Sequence, residues 1–244
     1  MAEAADVLLH LDDVHTDIGR YKILHGVSLT ARRGRVTMLL GRNGAGKTTT
    51  LRTIIGLWQA RSGRITFDGQ SITGMDTPDI ARLGIAYVPE YMGIFGKLTV
   101  RENMLLATGP RGFAKDNLER VLTWFPALKL KWDSAAGSLS GGQKQMLAIA
   151  RAVVEQRRLL LVDEPTKGLS PVMVDQLVEA LLGLKSEQTT TLLVEQNFHV
   201  ALAVGDDVAV MDLGRTVHSG DMAALGRNEE LQQQLLGLSM AVGA

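Results

Sequence analysis

The stretch Gly41-Arg42-Asn43-Gly44-Ala45-Gly46-Lys47-Thr48 constrains this chain more than any other feature of it. It fits G-x-x-x-x-G-K-[ST], a glycine loop that needs a strand before it and a helix after it. Both flanks agree: Val36-Thr37-Met38-Leu39-Leu40 is an apolar run, and a helical pattern extends from Lys47 to Leu57. The physics is that of anion binding. The first amides of a helix lack intrahelical partners, and the aligned peptide dipoles put positive potential at the same end. A polyphosphate fits there. Gly41, Gly44 and Gly46 let the backbone turn sharply and approach the phosphates, and Arg42, Asn43 and Ala45 complete the cradle of loop amides. Lys47 is expected to reach the β- and γ-phosphates and Thr48 to place its hydroxyl on Mg²⁺. Thr49 is expected to add an α-phosphate contact.

Around this loop, strands alternate with helical segments. Strand patterns fall at Val7–Leu11, Ile23–Leu29, Ile85–Val88, Leu159–Val162 and Thr191–Val194. Asp68-Gly69 marks a two-residue turn between Arg64–Phe67 and Gln70–Ile72. A second hairpin, Val208–Met211 with Thr216–His218, crosses Gly214. Helical spacing appears at Pro78–Leu83, Val100–Leu106, Lys115–Phe125, Gly142–Val154, Val172–Leu184, Phe198–Val204 and Glu229–Leu238. The alternation predicts an α/β fold with a mostly parallel sheet and an antiparallel β part near the N-terminus. The 244 residues read as one nucleotide-binding domain, with a core at 1–89 and 159–244 and an inserted helical subdomain at about 90–158.

Two further motifs sit on this frame. Leu159-Leu160-Leu161-Val162 is an apolar strand that ends in Asp163-Glu164. Asp163 can hold Mg²⁺, directly or through water, and Glu164 is then placed to polarise a water or accept its proton. In Leu139-Ser140-Gly141-Gly142-Gln143, Ser140 reads as a helix N-cap. Gly141 and Gly142 leave amides open to close approach, and the helix from Gln143 offers its positive end. This is a second phosphate cradle, one without a lysine.

Glycine loop, L-S-G-G-Q and the Asp-Glu strand, in this order, resemble the ATP-binding cassette family over essentially the whole chain. The resemblance implies a P-loop NTPase core of RecA-like type and a head-to-tail dimer with a second cassette ATPase subunit, identical or related. ATP would lie between the glycine loop of one subunit and Ser140, Gly141, Gly142 and Gln143 of the other. It also implies transmembrane permease subunits as partners, an external substrate-binding protein indirectly, and a peripheral position on the cytoplasmic face of the plasma membrane.

The smaller motifs depart from the common family pattern. The loop after Val88 usually begins with glutamine and touches Mg²⁺ or the water; here it reads Val88-Pro89-Glu90. The usual switch histidine is replaced in Val194-Glu195-Gln196-Asn197 by Gln196, which can hydrogen-bond but cannot titrate near neutral pH. In Thr166-Lys167-Gly168-Leu169-Ser170-Pro171, Ser170 takes the place of an aspartate. V-P-E and V-E-Q-N together resemble the subfamily that imports branched-chain amino acids, and the related urea and short-amide importers. The family's adenine-stacking position falls on Ile18; nearby Tyr21 stands either as the substitute or as a plain surface aromatic. Tyr91-Met92-Gly93-Ile94-Phe95 is apolar where a loop should be polar, which fits subdomain packing or a docking patch for a permease helix.

Composition removes several alternatives. Lys plus Arg and Asp plus Glu both number 26, so no strong pull toward nucleic acid is expected. There is no cysteine, hence neither disulfide nor thiolate metal site. No window of about 18 consecutive apolar residues predicts a transmembrane helix, and acidic Met1–Asp6 lacks the basic start of a signal peptide. The interval from Lys47 to Asp163 is too short for the coiled coil of DNA-repair relatives, and one cassette is present where translation-associated relatives carry two. A nucleotide-binding scaffold without turnover stays open at this point.

Overall fold

The computed structural model describes residues 6–108 and 112–237; Met1–Ala5 of the acidic start and Leu238 of the last predicted helix lie outside them. The ten strands among these residues form two sheets. A mostly parallel sheet runs in the order β10 (Arg215–Asp221), β9 (Asp207–Asp212), β3 (Val36–Gly41), β8 (Thr190–Val194), β7 (Leu159–Asp163), β6 (Ile85–Val88). All its pairs are parallel except β10 with β9. An antiparallel sheet runs β2 (Tyr21–Arg32), β1 (Val7–Ile18), β4 (Ala60–Phe67), β5 (Gln70–Ser71).

The central strands read as unbroken apolar runs because both of their faces are covered. Alternation sends successive side chains to opposite faces. Val36, Met38 and Leu40 of β3, Leu160 and Val162 of β7, and Val208 and Val210 of β9 enter one core. Their neighbours Leu39, Leu159, Leu161, Ala209 and Met211 enter another. The first core is closed by helices: α3 (Val100–Leu105), α4 (Lys115–Trp124), α5 (Pro126–Leu130), α6 (Gly141–Val153) and α7 (Pro171–Ser186) contribute Val100, Val121, Leu128, Leu147 and Leu181. The second lies between the two sheets and takes Leu51 and Ile54 from α1 (Lys47–Ile54) and Ile80 from α2 (Thr77–Arg82). Helices α8 (Phe198–Val204), α9 (Met222–Gly226) and α10 (Glu229–Leu236) complete the described chain.

The element order agrees with the sequence reading, but the N-terminal strands are longer than their hydrophobic pattern suggests. β1 runs twelve residues because it bulges between Leu11 and Val14, where Asp13 takes φ 48°. A bulge resets the alternation, so periodicity alone ends the strand at Leu11. The two hairpin turns follow their chemistry. Asp68-Gly69 (φ 51° and 76°) and Leu213-Gly214 (φ 44° and 75°) have two consecutive positive φ values, the conformation that matches strand twist in two-residue loops.

The parallel strands β3, β8, β7 and β6 are consecutive neighbours, so their carboxyl ends lie along one edge. The segments that leave this edge begin at Arg42, Glu195, Glu164 and Pro89. Open α/β sheets bind ligands at this edge. Chain order thus delivers four separated motifs to one place.

Candidate functional site

The glycine loop joins β3 to α1. Gly41 has φ 142°, and a Cβ there would meet the Met211 carbonyl oxygen at 2.2 Å, so no side chain fits where the loop leaves the sheet. Gly46 caps α1 in the left-handed region, φ 102°, a conformation glycine adopts without steric cost. Lys47 is the first residue of α1 and is 5% exposed. Its Nζ donates to the carbonyls of Gly41 at 2.9 Å and Arg42 at 3.2 Å, which folds the side chain back over the loop.

Asp163 ends β7 and is fully buried. Its Oδ1 accepts from the Thr48 hydroxyl at 3.0 Å and its Oδ2 from the Tyr87 hydroxyl at 3.2 Å. Burial pushes the Asp163 carboxyl up; the two hydroxyls pull it down, and the charges of Glu164 and Glu90 push it up again. Burial and the neighbouring Asp163 charge raise the Tyr87 phenol, against the pull of Arg52, which keeps it a protonated donor. A buried carboxylate whose hydrogen-bond partners are neutral hydroxyls has uncompensated charge. Thr48 and Asp163 together present the hard oxygen ligands that Mg²⁺ takes alongside substrate phosphates. The donor set therefore fits that ion, which Thr48 and Asp163 would hold.

Glu164 follows at φ 47°, with its side chain only 9% exposed. Its Oε1 accepts from Gln196 Nε2 at 2.6 Å and lies 3.7 Å from Lys47 Nζ; its Oε2 lies 3.6 Å from Lys167 Nζ. Lys167 Nζ also donates to Glu90 Oε1 at 2.6 Å. Glu164 thus stands between two lysines, and Gln196 holds its carboxylate in place.

Gln196 is itself held from below. The neighbouring Glu195 is 2% exposed. Its Oε1 accepts from the Thr166 amide and hydroxyl at 3.0 and 2.8 Å, and its Oε2 from the Gln196 and Asn197 amides at 3.0 and 3.3 Å. Burial raises its pKa, and these four bonds oppose the rise. The loops after β7 and β8 are thereby tied to one carboxylate.

A cavity of about 340 Å³ opens above the loop. Asn43, Gly44, Gly46, Lys47, Thr48 and Thr49 line it from the loop and α1, with Ile23 from β2 and Glu90, Glu164 and Lys167 across from them. Gly41, Arg42 and Asn43 also line a second cavity behind the loop, beside Glu195, Gln196 and Phe198. Ala45 is buried and its amide donates to the Arg42 carbonyl at 3.1 Å. Tyr21 is 66% exposed at the start of β2 and is outside both linings.

Ser140 caps α6 by a reciprocal box: the Gln143 amide donates to its Oγ at 3.2 Å, and its own amide donates to Gln143 Oε1 at 3.0 Å. Gly141 is open, with no heavy atom within 4 Å of an added Cβ, while Gly142 is covered by Met173. Ser140, Gly141, Gly142 and Gln143 are outside the lining of the loop cavity. The glycine loop and the Ser140 cap of one chain therefore do not line a common cavity. Ser170 stands at the N-cap position of α7. In the loop after Glu90, Tyr91 and Phe95 point outward at 70% and 51% exposure, whereas Met92 and Ile94 pack on the helical core.

Sequence reasoning missed Lys167, Tyr87 and Glu195. Lys167 and Tyr87 act across 77 and 76 residues, and no local pattern carries such pairs. Glu195 had a signal: a carboxylate directly after a five-residue buried strand must be satisfied by something close.

A glycine loop and a threonine hydrogen-bonded to a buried aspartate at the carboxyl edge of a parallel sheet define a P-loop nucleotide-binding protein. Residues 24–167 match the family model described as ABC transporter. The high-affinity branched-chain amino acid transport ATP-binding protein BraG of Pseudomonas aeruginosa is 40% identical over 94% of this chain and 100% of its own. The probable branched-chain amino acid transport ATP-binding protein LivF of Archaeoglobus fulgidus is 36% identical over 89% of this chain and 95% of its own. The structure of an ATP-binding cassette of an ABC transporter in its ADP conformation superposes with a TM-score of 0.77, at 27% identity and 95% coverage of both chains. The chain belongs to the ABC transporter family, and it is an ATP-binding, ATP-hydrolysing subunit of that family. No helix among the described residues is long and apolar enough to cross a membrane.

Proposed function

We propose that the chain is the peripheral ATPase subunit of an importer for branched-chain or other hydrophobic amino acids, working on the cytoplasmic face of the membrane. The names of its relatives support that cargo. The loop amides from Gly41 to Gly46 and the Lys47 ammonium bind the polyphosphate, and Thr49 adds a contact beside Thr48. Thr48 and Asp163 hold Mg²⁺, which when bound neutralises charge on the phosphates. Glu164 orients the attacking water and takes its proton, and Gln196 fixes the Glu164 carboxylate. Ser140 to Gln143 of a second cassette, a copy or a relative, closes the site from the opposite side.

Glu90, Tyr91 and Phe95 face the permease subunits, so that closing and opening of the cassette pair is felt there. The external binding protein acts only through the permease, and no nucleic acid takes part. One domain carries all of this, with residues from about 90 to 158 as the helical subdomain that presents both Glu90–Phe95 and the Ser140 cap.

One observation carries this reading: Glu164 lies within 3.7 Å of Lys47 and is hydrogen-bonded to Gln196, yet the Ser140 cap is absent from the cavity that Lys47 and Glu164 line. Half of a hydrolytic site is built, and the missing half exists elsewhere on the same chain. The test is disulfide trapping, which a chain without cysteine permits cleanly. Asn43→Cys and Ser140→Cys, placed on separate copies or on the chain and its natural partner cassette, should crosslink in MgATP with Glu164→Gln present. The same chain, co-purified with its permease, should hydrolyse ATP faster when a loaded amino-acid receptor is added. Stimulation by a urea or amide receptor instead would move the cargo; failure to crosslink would remove the dimer site.

A further inference from the structure

The carboxylate of Glu90 stands where the family pattern has a neutral amide, and it lines the same cavity as Gly46, Lys47 and Thr48. A second negative charge there opposes a polyphosphate. Its influence already reaches the Thr48–Asp163 pair, where it adds to the forces that raise the Asp163 carboxyl. Something must compensate it, and the structure contains a group that can.

Lys167 Nζ lies 2.6 Å from Glu90 Oε1 and 3.6 Å from Glu164 Oε2. Its position is set by backbone as well as by charge. The Lys167 amide donates to the Glu164 carbonyl at 3.2 Å, closing a turn, and the preceding Thr166 is fixed by two bonds to buried Glu195. The turn therefore aims Lys167 at the loop that carries Glu90. The Glu90 hydrogen bond raises the Lys167 pKa, so the ammonium stays charged at neutral pH. The pair is partly exposed, with side chains 60% and 40% accessible, and such pairs add little to folding stability. Its effect lies in the local potential over the phosphate cavity.

We propose that Lys167 is a positioning residue that neutralises Glu90 and holds its carboxylate back, so that an acid can occupy this place beside bound ATP without weakening it. The role rests on the proposed assignment of the Gly41–Thr49 loop as the phosphate site. It ties an unusual acid to a nearby base in one chain: Lys167 is needed because residue 90 is Glu.

A double-mutant cycle on the full chain tests it, read as the Kd for ATP in Mg²⁺ by titration calorimetry. Lys167→Met should weaken binding about tenfold, a change of ~1.4 kcal/mol. Lys167→Arg should stay within about twofold of the parent. Glu90→Gln combined with Lys167→Met should restore the parent affinity, and the Lys167→Met penalty should shrink as salt is raised. An equal loss with and without the Glu90→Gln change would overturn the proposal and make Lys167 a direct phosphate contact. No loss in either background would also overturn it. Lys47→Ala is the separate control: if it leaves ATP binding intact, the phosphate-site assignment fails rather than the pairing.

Discussion

The Thr48 hydroxyl donates to the Asp163 carboxylate at 3.0 Å, across 115 residues of chain. This bond joins the start of α1 to the end of β7, and it holds together the two oxygens proposed above as Mg²⁺ ligands. It also leaves a fully buried carboxylate with only hydroxyl partners, Thr48 and Tyr87.

Asp163 should therefore oppose folding of the nucleotide-free protein at neutral pH. Its folded pKa is raised by burial. A raised carboxyl contributes stability only when protonated, and that contribution is lost as pH rises through the folded pKa. Asp163→Asn keeps an acceptor for Thr48 and removes the charge. Its Tm at pH 7 without nucleotide should rise by about 2–4 °C, the shift that ~1 kcal/mol gives at this chain length. The gain should shrink toward acid pH. The same variant should lose the Mg²⁺-dependent part of its ATP affinity, measured by titration with and without the ion.

Glu164→Gln should keep ATP binding and lose turnover. The amide retains the size of the carboxylate and a carbonyl acceptor for Gln196, but it cannot take a proton. Hydrolysis should fall by about 10²–10⁴, the range for loss of a general base. With MgATP, size-exclusion chromatography should show the variant accumulating with its partner cassette.

Gln196 predicts a particular pH profile. It positions Glu164 at 2.6 Å without a titrating group of its own. Turnover in the assembled transporter should show no inflection from this position between pH 6 and 8. Gln196→His should introduce one near the imidazole pKa, about 6.5. Gln196→Ala should lower kcat about tenfold with little change in KM, as expected when a transition-state contact is lost.

Asn103 holds the loop that carries the outward aromatics. It is fully buried; its Oδ1 accepts from the Phe95 amide at 2.9 Å, and its Nδ2 donates to the Phe95 and Thr99 carbonyls at 2.9 Å each. Asn103→Leu should cost about 1–3 kcal/mol, the desolvation left by unpaired backbone groups. Urea unfolding would measure it. Amide exchange should accelerate at Phe95 and its neighbours, with the glycine loop unchanged.

Much of this was legible because the central strands are short and covered on both faces. Leu159–Val162 and Thr191–Val194 read as short apolar strands, and the motifs at their ends followed. Helix starts were legible where a cap has a sequence form, as at Ser140 with Gln143. α5 and α9 were not, since each has five residues and makes little more than one helical turn. Nor were the partners of Asn103 or Lys167. An asparagine inside an apolar helix face, or a lysine in a loop, gives no clue to what lies opposite. Ile23 lines the loop cavity, yet in the sequence it is one apolar residue of a strand, whereas Tyr21 has the aromatic ring that stacking arguments seek.

Glu195 has a mechanical consequence. Thr166 and Gln196 hang from the two oxygens of one side chain that has nowhere to go. A shift of either crest by more than a bond length must either snap a contact to that anion or drag the other crest along. A displacement of Gln196 beside Glu164 therefore has a rigid crossbar to travel on, to the segment leading into Ser170.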